Sequence, residues 1–310
     1  MKKNQKTIGA AAVIIASTLW GLDGVVFTPR LYNLDVGFVV FVLHLFPFLI
    51  MNFFFYKRYA LLKEFTKGDF VTFSLVALFG GALGTMAIVK ALFLVNFQSL
   101  SIVVLLQKLQ PVFAMSLAAV LLKEKIRKRF LIWAGLAVFA SYFLTFGFHL
   151  PDMKTDSNTV YAAVYALLAA FSFGVSTVLS KKVLGKFSFT TGTFFRYGFT
   201  SLIMLIIVLF MGTFNNFNLV TGENLLYFII IAATTGTGAI FLYYYGLVRI
   251  RAIMATICEL FFPVSAIFFD YIVNGKTLSP VQWVATVIMV FAIIKLTAQK
   301  PVIVDGKANK

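Results

Sequence analysis

The chain is written twice. Leu109-Gln110-Pro111-Val112 returns as Phe261-Phe262-Pro263-Val264, and Ala137-Val138-Phe139-Ala140 returns as Met289-Val290-Phe291-Ala292, both at an offset of 152 residues. The same offset lays Gly84-Thr85 on Gly236-Thr237, and an offset of 153 lays Trp20-Gly21 on Phe173-Gly174. A correspondence that runs almost end to end predicts two like units, residues 1–150 and 151–310. Whatever path the first unit takes, the second must repeat, and that removes most topologies. In a membrane protein, internal duplication of this kind points to a carrier.

Membrane residence follows from composition. Of 310 residues, 61% are hydrophobic, only 12% are charged and 37 are Phe, so there are too few charges to cover the apolar surface in water. Apolar stretches of about 20 residues, the length that crosses about 30 Å of hydrocarbon, recur ten times. Their approximate limits are 7–27, 36–56, 70–92, 98–122, 130–149, 159–180, 188–211, 225–247, 252–273 and 279–298. Each unit then holds five spans. Because five is odd, the second unit must enter from the opposite side, which predicts an all-α integral membrane fold of ten helices in two inverted five-helix repeats.

Charge placement agrees with this topology. With the N-terminus in the cytoplasm, twenty of the 27 Lys and Arg fall inside: Lys2, Lys3, Lys6, the 57–67 loop, Lys123 to Arg129, Lys181, Lys182, Lys186, Arg249, Arg251 and the basic tail. Only Arg30, Lys154 and Lys276 fall in the opposite loops, and four lie within spans. Lys and Arg concentrate on the cytoplasmic side of membrane proteins, so both termini are expected in the cytoplasm of a cell-membrane protein. Basic loops on an anionic leaflet account for the net charge of +16, and nucleic acid is not an expected partner. The Lys-rich start could open a secretory signal, but the apolar run from Ile8 passes Trp20 without a small-residue cleavage site and reads as the first span. The lone Cys258 permits no internal disulfide and no thiolate metal site. No cofactor is expected. The outward connections 152–158 and 215–223 are too short for a second soluble domain.

Several segments resemble the EamA family of the drug/metabolite transporter superfamily. Leu105-Leu106-Gln107-Lys108-Leu109-Gln110-Pro111-Val112-Phe113, leading to Leu122-Lys123-Glu124-Lys125-Ile126, is similar to the family's fourth-helix signature of a mid-span Pro and a cytoplasmic Glu-basic pair. The ninth span repeats it as Phe262-Pro263-Val264 leading to Gly275-Lys276-Thr277, without the Glu. Trp20-Gly21 resembles the aromatic-Gly pair of the first helix, and Arg196-Tyr197 the Arg-aromatic pair of the second, where the first repeat carries His44 instead. The resemblance implies a carrier of small metabolites, often amino acids and often in export, with a central cavity between the repeats.

Ionisable groups in hydrocarbon cost a few kcal/mol when unpaired, so those that persist face a cavity or a partner. Lys108 sits about ten residues into its span, roughly 15 Å deep at the rise of an α-helix. It offers a compact positive charge to a carboxylate or phosphate, or else a structural tie to a carbonyl. Gln107 aligns with Glu259 of the second repeat. Lys108 and Glu259 are therefore expected to face one cavity, paired when empty and divided between the carboxylate and amine of a zwitterion when loaded. The alternative for Glu259 is a salt link to Arg249 or Arg251. Glu259, Pro263, Ala266 and Asp270 share one helical stripe. Asp270 reads as an interface residue or a partner of Lys276.

Pro111 and Pro263 interrupt the hydrogen-bond ladder and are candidate hinges or static kinks. His44 and Arg196 occupy equivalent places about 10 Å into the second helix of each repeat. Arg196 reads as a bridge between helices, and His44 as a proton-coupling group or a satisfied interior residue. Trp20, Asp23 and Lys90 are further substrate-site candidates. Asp23, on the face of Trp20, could serve as gate, substrate contact or interfacial residue; Lys90, near the outer end of its span, could snorkel to headgroups instead. Tyr243-Tyr244-Tyr245 reads first as an interfacial aromatic belt, with Tyr244 the candidate for cavity lining. Gly80, Gly84, Ala87 and Ala91 form a small-residue stripe for close helix packing. Thr234-Thr235-Gly236-Thr237-Gly238 holds a GxG, but inside an apolar helix with no strand before it, so it is no nucleotide loop.

The function these features support is a secondary carrier for a small metabolite, an amino acid or a related zwitterion or anion, working by alternating access and in the export direction. Besides the substrate, the bilayer is its partner, and a homodimer is compatible with such a chain. The alternatives are a structural or sensory membrane protein, or a membrane-embedded enzyme. An enzyme would need a convergent acid, base, metal cluster or nucleophile. Two His, one Cys and scattered carboxylates do not supply one.

Overall fold

The computed structural model describes residues 3–95, 103, 106–126, 128–150, 157–275 and 277–298. Among them all regular structure is helical: α1 (Lys3–Leu22), α2 (Val36–Phe55), α3 (Lys67–Val76), α4 (Gly84–Leu94), α5 (Gln110–Leu121), α6 (Lys128–Phe146), α7 (Ser157–Val183), α8 (Phe189–Phe210), α9 (Gly222–Ile231), α10 (Thr237–Arg249), α11 (Ala252–Cys258), α12 (Phe261–Asn274) and α13 (Pro280–Ala298).

Among the described residues, seven helical stretches are long and apolar enough to cross a membrane: Asn4–Leu31, Val36–Glu64, Lys67–Leu94, Ser157–Val183, Phe189–Phe210, Gly222–Arg249 and Ala252–Asn274. The expected ten are therefore not all met by length and apolarity. Of the other three, the fourth lies partly outside the described residues and is represented by α5, and the fifth and tenth by α6 and α13. The outer surface confirms the solvent for which the chain is built. Phe53 is 81% and Phe210 89% exposed, and an outer surface rich in such rings is tolerable in lipid but not in water.

The two halves start and interrupt their helices with the same devices. The Asp35 carboxylate caps α2 by accepting from the Phe38 amide, and the Ser188 hydroxyl caps α8 by accepting from the Thr191 amide. Thr66 with Asp69, and Thr221 with Asn224, form reciprocal capping boxes at α3 and α9. The third span of each half then passes through a π-helical turn, at Ala77–Leu83 and at Ala232–Gly236. The packing also exchanges between halves: α1 lies against α10 and α12 while α7 lies against α4 and α5, α2 pairs with α8, and α6 pairs with α13.

The small-residue stripe does what its spacing predicts. A Cβ on Gly80 would stand 2.0 Å from Ser176 Oγ, and one on Gly84 2.8 Å from the Phe173 ring, so side chains of α7 lie directly on the glycine backbone. The basic loops also gather at one end of the bundle. Lys186 pairs with Asp69, Arg58 donates to Thr191 Oγ1 at 2.6 Å, Arg249 reaches Gln5, and Arg251 donates to the Lys125 carbonyl at 3.0 Å. There Glu124, the acidic member of the Glu-basic pair, accepts from the Ala252 and Ile253 amides at the start of α11. The opposite end is tied by neutral contacts such as Asn33 with Asn224.

Candidate functional site

Two helices break in the middle of the protein, and the polar residues stand at the breaks. A proline lacks the N–H that would bond the carbonyl four residues earlier. For Pro263 that carbonyl belongs to Glu259, and for Pro111 to Gln107. The chain tightens accordingly: the Phe262 amide donates to Glu259 O at 2.9 Å, and the Leu109 amide to Leu106 O at 3.0 Å. α11 thus ends at Cys258 before α12 begins at Phe261, and a turn at 108–109 precedes α5. The prolines sit just after the breaks, near the start of the second segment.

The breaks face each other across the two halves. Gln110 Nε2 donates to Glu259 Oε2 at 2.6 Å, and the Lys108 ammonium lies over the Phe262 ring, 5.4 Å from its centre. Glu259 Oε1 accepts from the Tyr243 hydroxyl at 2.7 Å, and Tyr243 Oη is 2.8 Å from Thr177 Oγ1. Because the single Tyr243 proton goes to Glu259, Thr177 is the donor in that second contact. Trp20 packs on Tyr243 with ring centres 5.4 Å apart. Lys108 is buried at 8% exposure, yet its ammonium makes no hydrogen bond among the described residues.

A second buried network flanks the first. Arg196 Nη1 donates to Tyr244 Oη at 3.2 Å, Nη2 donates to the Gly80 carbonyl at 3.2 Å, and Tyr244 Oη meets Ser180 Oγ at 2.7 Å. Arg196 thereby ties α8 to α10 and to the π turn Ala77–Leu83. Arg196→Met keeps the volume but leaves Gly80 O and Tyr244 Oη without this donor. It is expected to lower stability by about 2 kcal/mol, read as a drop in thermal-unfolding midpoint in detergent. A midpoint equal to that of the unaltered protein contradicts the bridging role.

Several expectations change in detail. Lys108 and Glu259 do not pair with each other, because Gln110 and Tyr243 already satisfy the carboxylate; nor does Glu259 pair with Arg249 or Arg251, and Arg249 Nη1 donates to Tyr245 O instead. Tyr243 and Tyr244 are not an interfacial belt: they are 3% and 1% exposed, since α10 turns that face toward α1, α7 and α8. His44 Nδ1 donates to Val40 O at 2.8 Å in its own helix, and its ring packs on Tyr197. Gln107 is the last helical residue before the turn at 108–109, Lys90 is exposed on α4, and Asp23 opens a π-helical turn, Asp23–Phe27, directly after α1. Asp270 accepts from Asn274, while Lys276 lies outside the described residues.

Gln110, Thr177 and Ser180 enter the networks without having been singled out from the sequence, and Tyr243 enters them although its run reads first as an interfacial belt. The available signal was the polar run Ser176, Thr177 and Ser180 along α7, since hydroxyls one turn apart in an apolar helix need partners on a facing helix.

A membrane-embedded, duplicated helical protein whose broken helices meet at buried polar groups has the architecture of a membrane transporter. The chain belongs to the EamA-like transporter family, whose model matches it twice, over residues 7–146 and 160–298. It is 52% identical over 290 residues to the riboflavin transporter ImpX of Fusobacterium nucleatum subsp. nucleatum, a match covering 93% of this chain and 97% of that protein. A solved crystal structure at 14% identity superposes with a TM-score of 0.65 over 96% of this chain and 97% of its own, which shows a shared fold. The chain is a transporter and not an enzyme.

Proposed function

We propose that this transporter carries riboflavin, or a flavin of the same kind, through a site where the two broken helices meet. The observation that carries the proposal is the 52% identity to a protein named as a riboflavin transporter over nearly the whole of both chains. The geometry is consistent with such a cargo. A flavin is a flat ring system with a hydrogen-bonding imide edge and a polyol tail, and it bears no carboxylate to occupy a lysine as a counter-ion. Trp20, Tyr243 and Phe262 supply ring faces. Lys108 and Gln110 supply donors, and Glu259 supplies an acceptor.

This reading replaces the amino-acid cargo and export direction that the family resemblance implied; with Lys108 and Glu259 unpaired, nothing in the site calls for a zwitterion. It keeps ten spans in two inverted repeats over 1–150 and 151–310, both termini in the cytoplasm, and alternating access with Pro111 and Pro263 as hinges. The gathering of basic loops at one end of the bundle supports that orientation. The same hinge positions flank the groups proposed to hold cargo, so bending there would open and close the site.

The test is counterflow of labelled riboflavin into proteoliposomes, with amino acids as the comparison cargo. The protein is expected to exchange riboflavin. Lys108→Ala is expected to slow that exchange by more than about tenfold, the effect of losing one hydrogen bond from a buried charged donor. Exchange of amino acids with no riboflavin flux, or a Lys108→Ala rate equal to that of the unaltered protein, refutes the proposal.

A further inference from the structure

Gln110 uses only one corner of its side-chain amide. Nε2 donates one proton to Glu259 Oε2 at 2.6 Å, and among the described residues neither the second N–H nor the carbonyl oxygen makes a hydrogen bond. That oxygen is not sealed from solvent. Gln110 and Glu259 are each only half-buried, although together they join helices from opposite halves of the chain.

Chemistry fixes which way the amide points. Glu259 accepts twice, from Gln110 Nε2 and from the Tyr243 hydroxyl. An ionised carboxylate has no proton to give, so the NH₂ of Gln110 and not its carbonyl must face Glu259. A primary amide carries one N–H on the side of its own oxygen and one on the far side. With the far-side proton on Glu259, the free edge presents a carbonyl acceptor and an N–H donor side by side.

An acceptor beside a donor is the complement of a cyclic imide, whose N–H donates while a flanking carbonyl accepts. The imide's second carbonyl needs a further donor, and Lys108 lies two residues before Gln110 at the same break. Its ammonium is buried, makes no hydrogen bond among the described residues, and stands over the ring of Phe262, three residues past Glu259. Trp20 and Tyr243 add flat ring faces beside these groups.

We propose that Gln110 reads the imide edge of the cargo, its carbonyl accepting the ring N3–H, and that Glu259 is the positioning residue that keeps the amide turned for this contact. The proposal rests on the flavin reading above and names the part of the flavin that decides specificity. Glu259 thereby bears on recognition through Gln110.

The test compares counterflow of riboflavin with that of 3-methylriboflavin, in which a methyl replaces the imide proton while the ring system, carbonyls and polyol are kept. A ratio of two cargoes on one protein is independent of how much of that protein is folded. The unaltered protein is expected to exchange riboflavin at least about tenfold faster, because the methylated ring leaves the Gln110 carbonyl unpaired. Gln110→Met keeps the length of the side chain and removes the edge, and its ratio is expected to fall to about one. Glu259→Gln offers an NH₂ to Gln110, which then turns its oxygen away from the cargo. Its ratio is also expected to fall to about one, at an unfolding midpoint near that of the unaltered protein. A purely structural role for Glu259 would leave the ratio as it was. Should Gln110→Met fail to fold, Glu259→Gln decides alone.

Equal exchange of both flavins by the unaltered protein, or a ratio retained in Gln110→Met, overturns the proposal and leaves the flavin reading standing. A ratio retained in Glu259→Gln overturns the positioning role. Flux of neither flavin overturns this proposal and the flavin reading together.

Discussion

Glu259→Ala is expected to reduce riboflavin exchange by at least about a hundredfold and to lower the unfolding midpoint. The carboxylate accepts from Gln110 Nε2 at 2.6 Å and from the Tyr243 hydroxyl at 2.7 Å, and Thr177 donates in turn to Tyr243. Truncation strands two buried donors, each costing about 1–3 kcal/mol, and releases the link that holds α5 to the break between α11 and α12. Loss of that link displaces the groups proposed to hold cargo, and small displacements of positioned groups cost orders of magnitude in rate. Glu259→Gln separates charge from bonding. Its carbonyl can accept from Tyr243, and the Gln110 amide can rotate to present its oxygen to the new NH₂. Glu259→Gln is therefore expected to keep an unfolding midpoint near that of the unaltered protein. A Glu259→Ala protein that exchanges at the original rate removes this centre from the mechanism.

Gly80→Ala is expected to destabilise the protein by about 3 kcal/mol, the upper range for overpacking. The added methyl would stand 2.0 Å from Ser176 Oγ, 2.8 Å from Ser176 Cβ and 3.0 Å from Arg196 Nη2. The two nearest atoms belong to Ser176, a short side chain on a packed helix that has no length with which to swing away. The collision pushes α7 off the π turn and stretches the bond from Arg196 to the Gly80 carbonyl. Ser176→Gly clears both colliding atoms, so Gly80→Ala/Ser176→Gly is expected to recover most of the loss. Thermal or denaturant unfolding of the two single variants and the double variant gives the coupling energy. A double variant no more stable than Gly80→Ala alone places the strain elsewhere.

Both predictions rest on pairs that the sequence could suggest but not make. The offset of 152 residues aligned Gln107 with Glu259, and helical depth singled out Lys108 and Glu259. Pro111 and Pro263 were legible as interruptions because a missing N–H is a property of the residue alone. Which groups the interruptions bring together was not legible. Glu259 had three readings: pairing with Lys108, with Arg249 or with Arg251. The structure satisfies it instead with Gln110 and Tyr243, and leaves Lys108 over a Phe ring. A partner across a helix interface depends on rotation and separation of two helices, and an apolar sequence encodes that only through the shapes of many side chains at once. The tyrosine run failed for the same reason: position near a span end suggested headgroups, while packing of α10 placed Tyr243 and Tyr244 in the interior.

What the sequence determined by itself is the solvent, the class and the repeat. Apolar runs with no water-compatible face require a bilayer, backbone satisfaction in lipid requires helices there, and duplicated motifs require two like halves. Capping residues and prolines set where helices begin and break, because those effects act over a few adjacent residues. The tertiary structure alone decided that the two breaks meet, that Arg196 reaches a π-turn carbonyl, and that Gln110 and Tyr243 rather than a basic residue hold Glu259. Those are contacts between residues far apart in the chain, and their energies exist only once packing has brought the groups within a few ångströms.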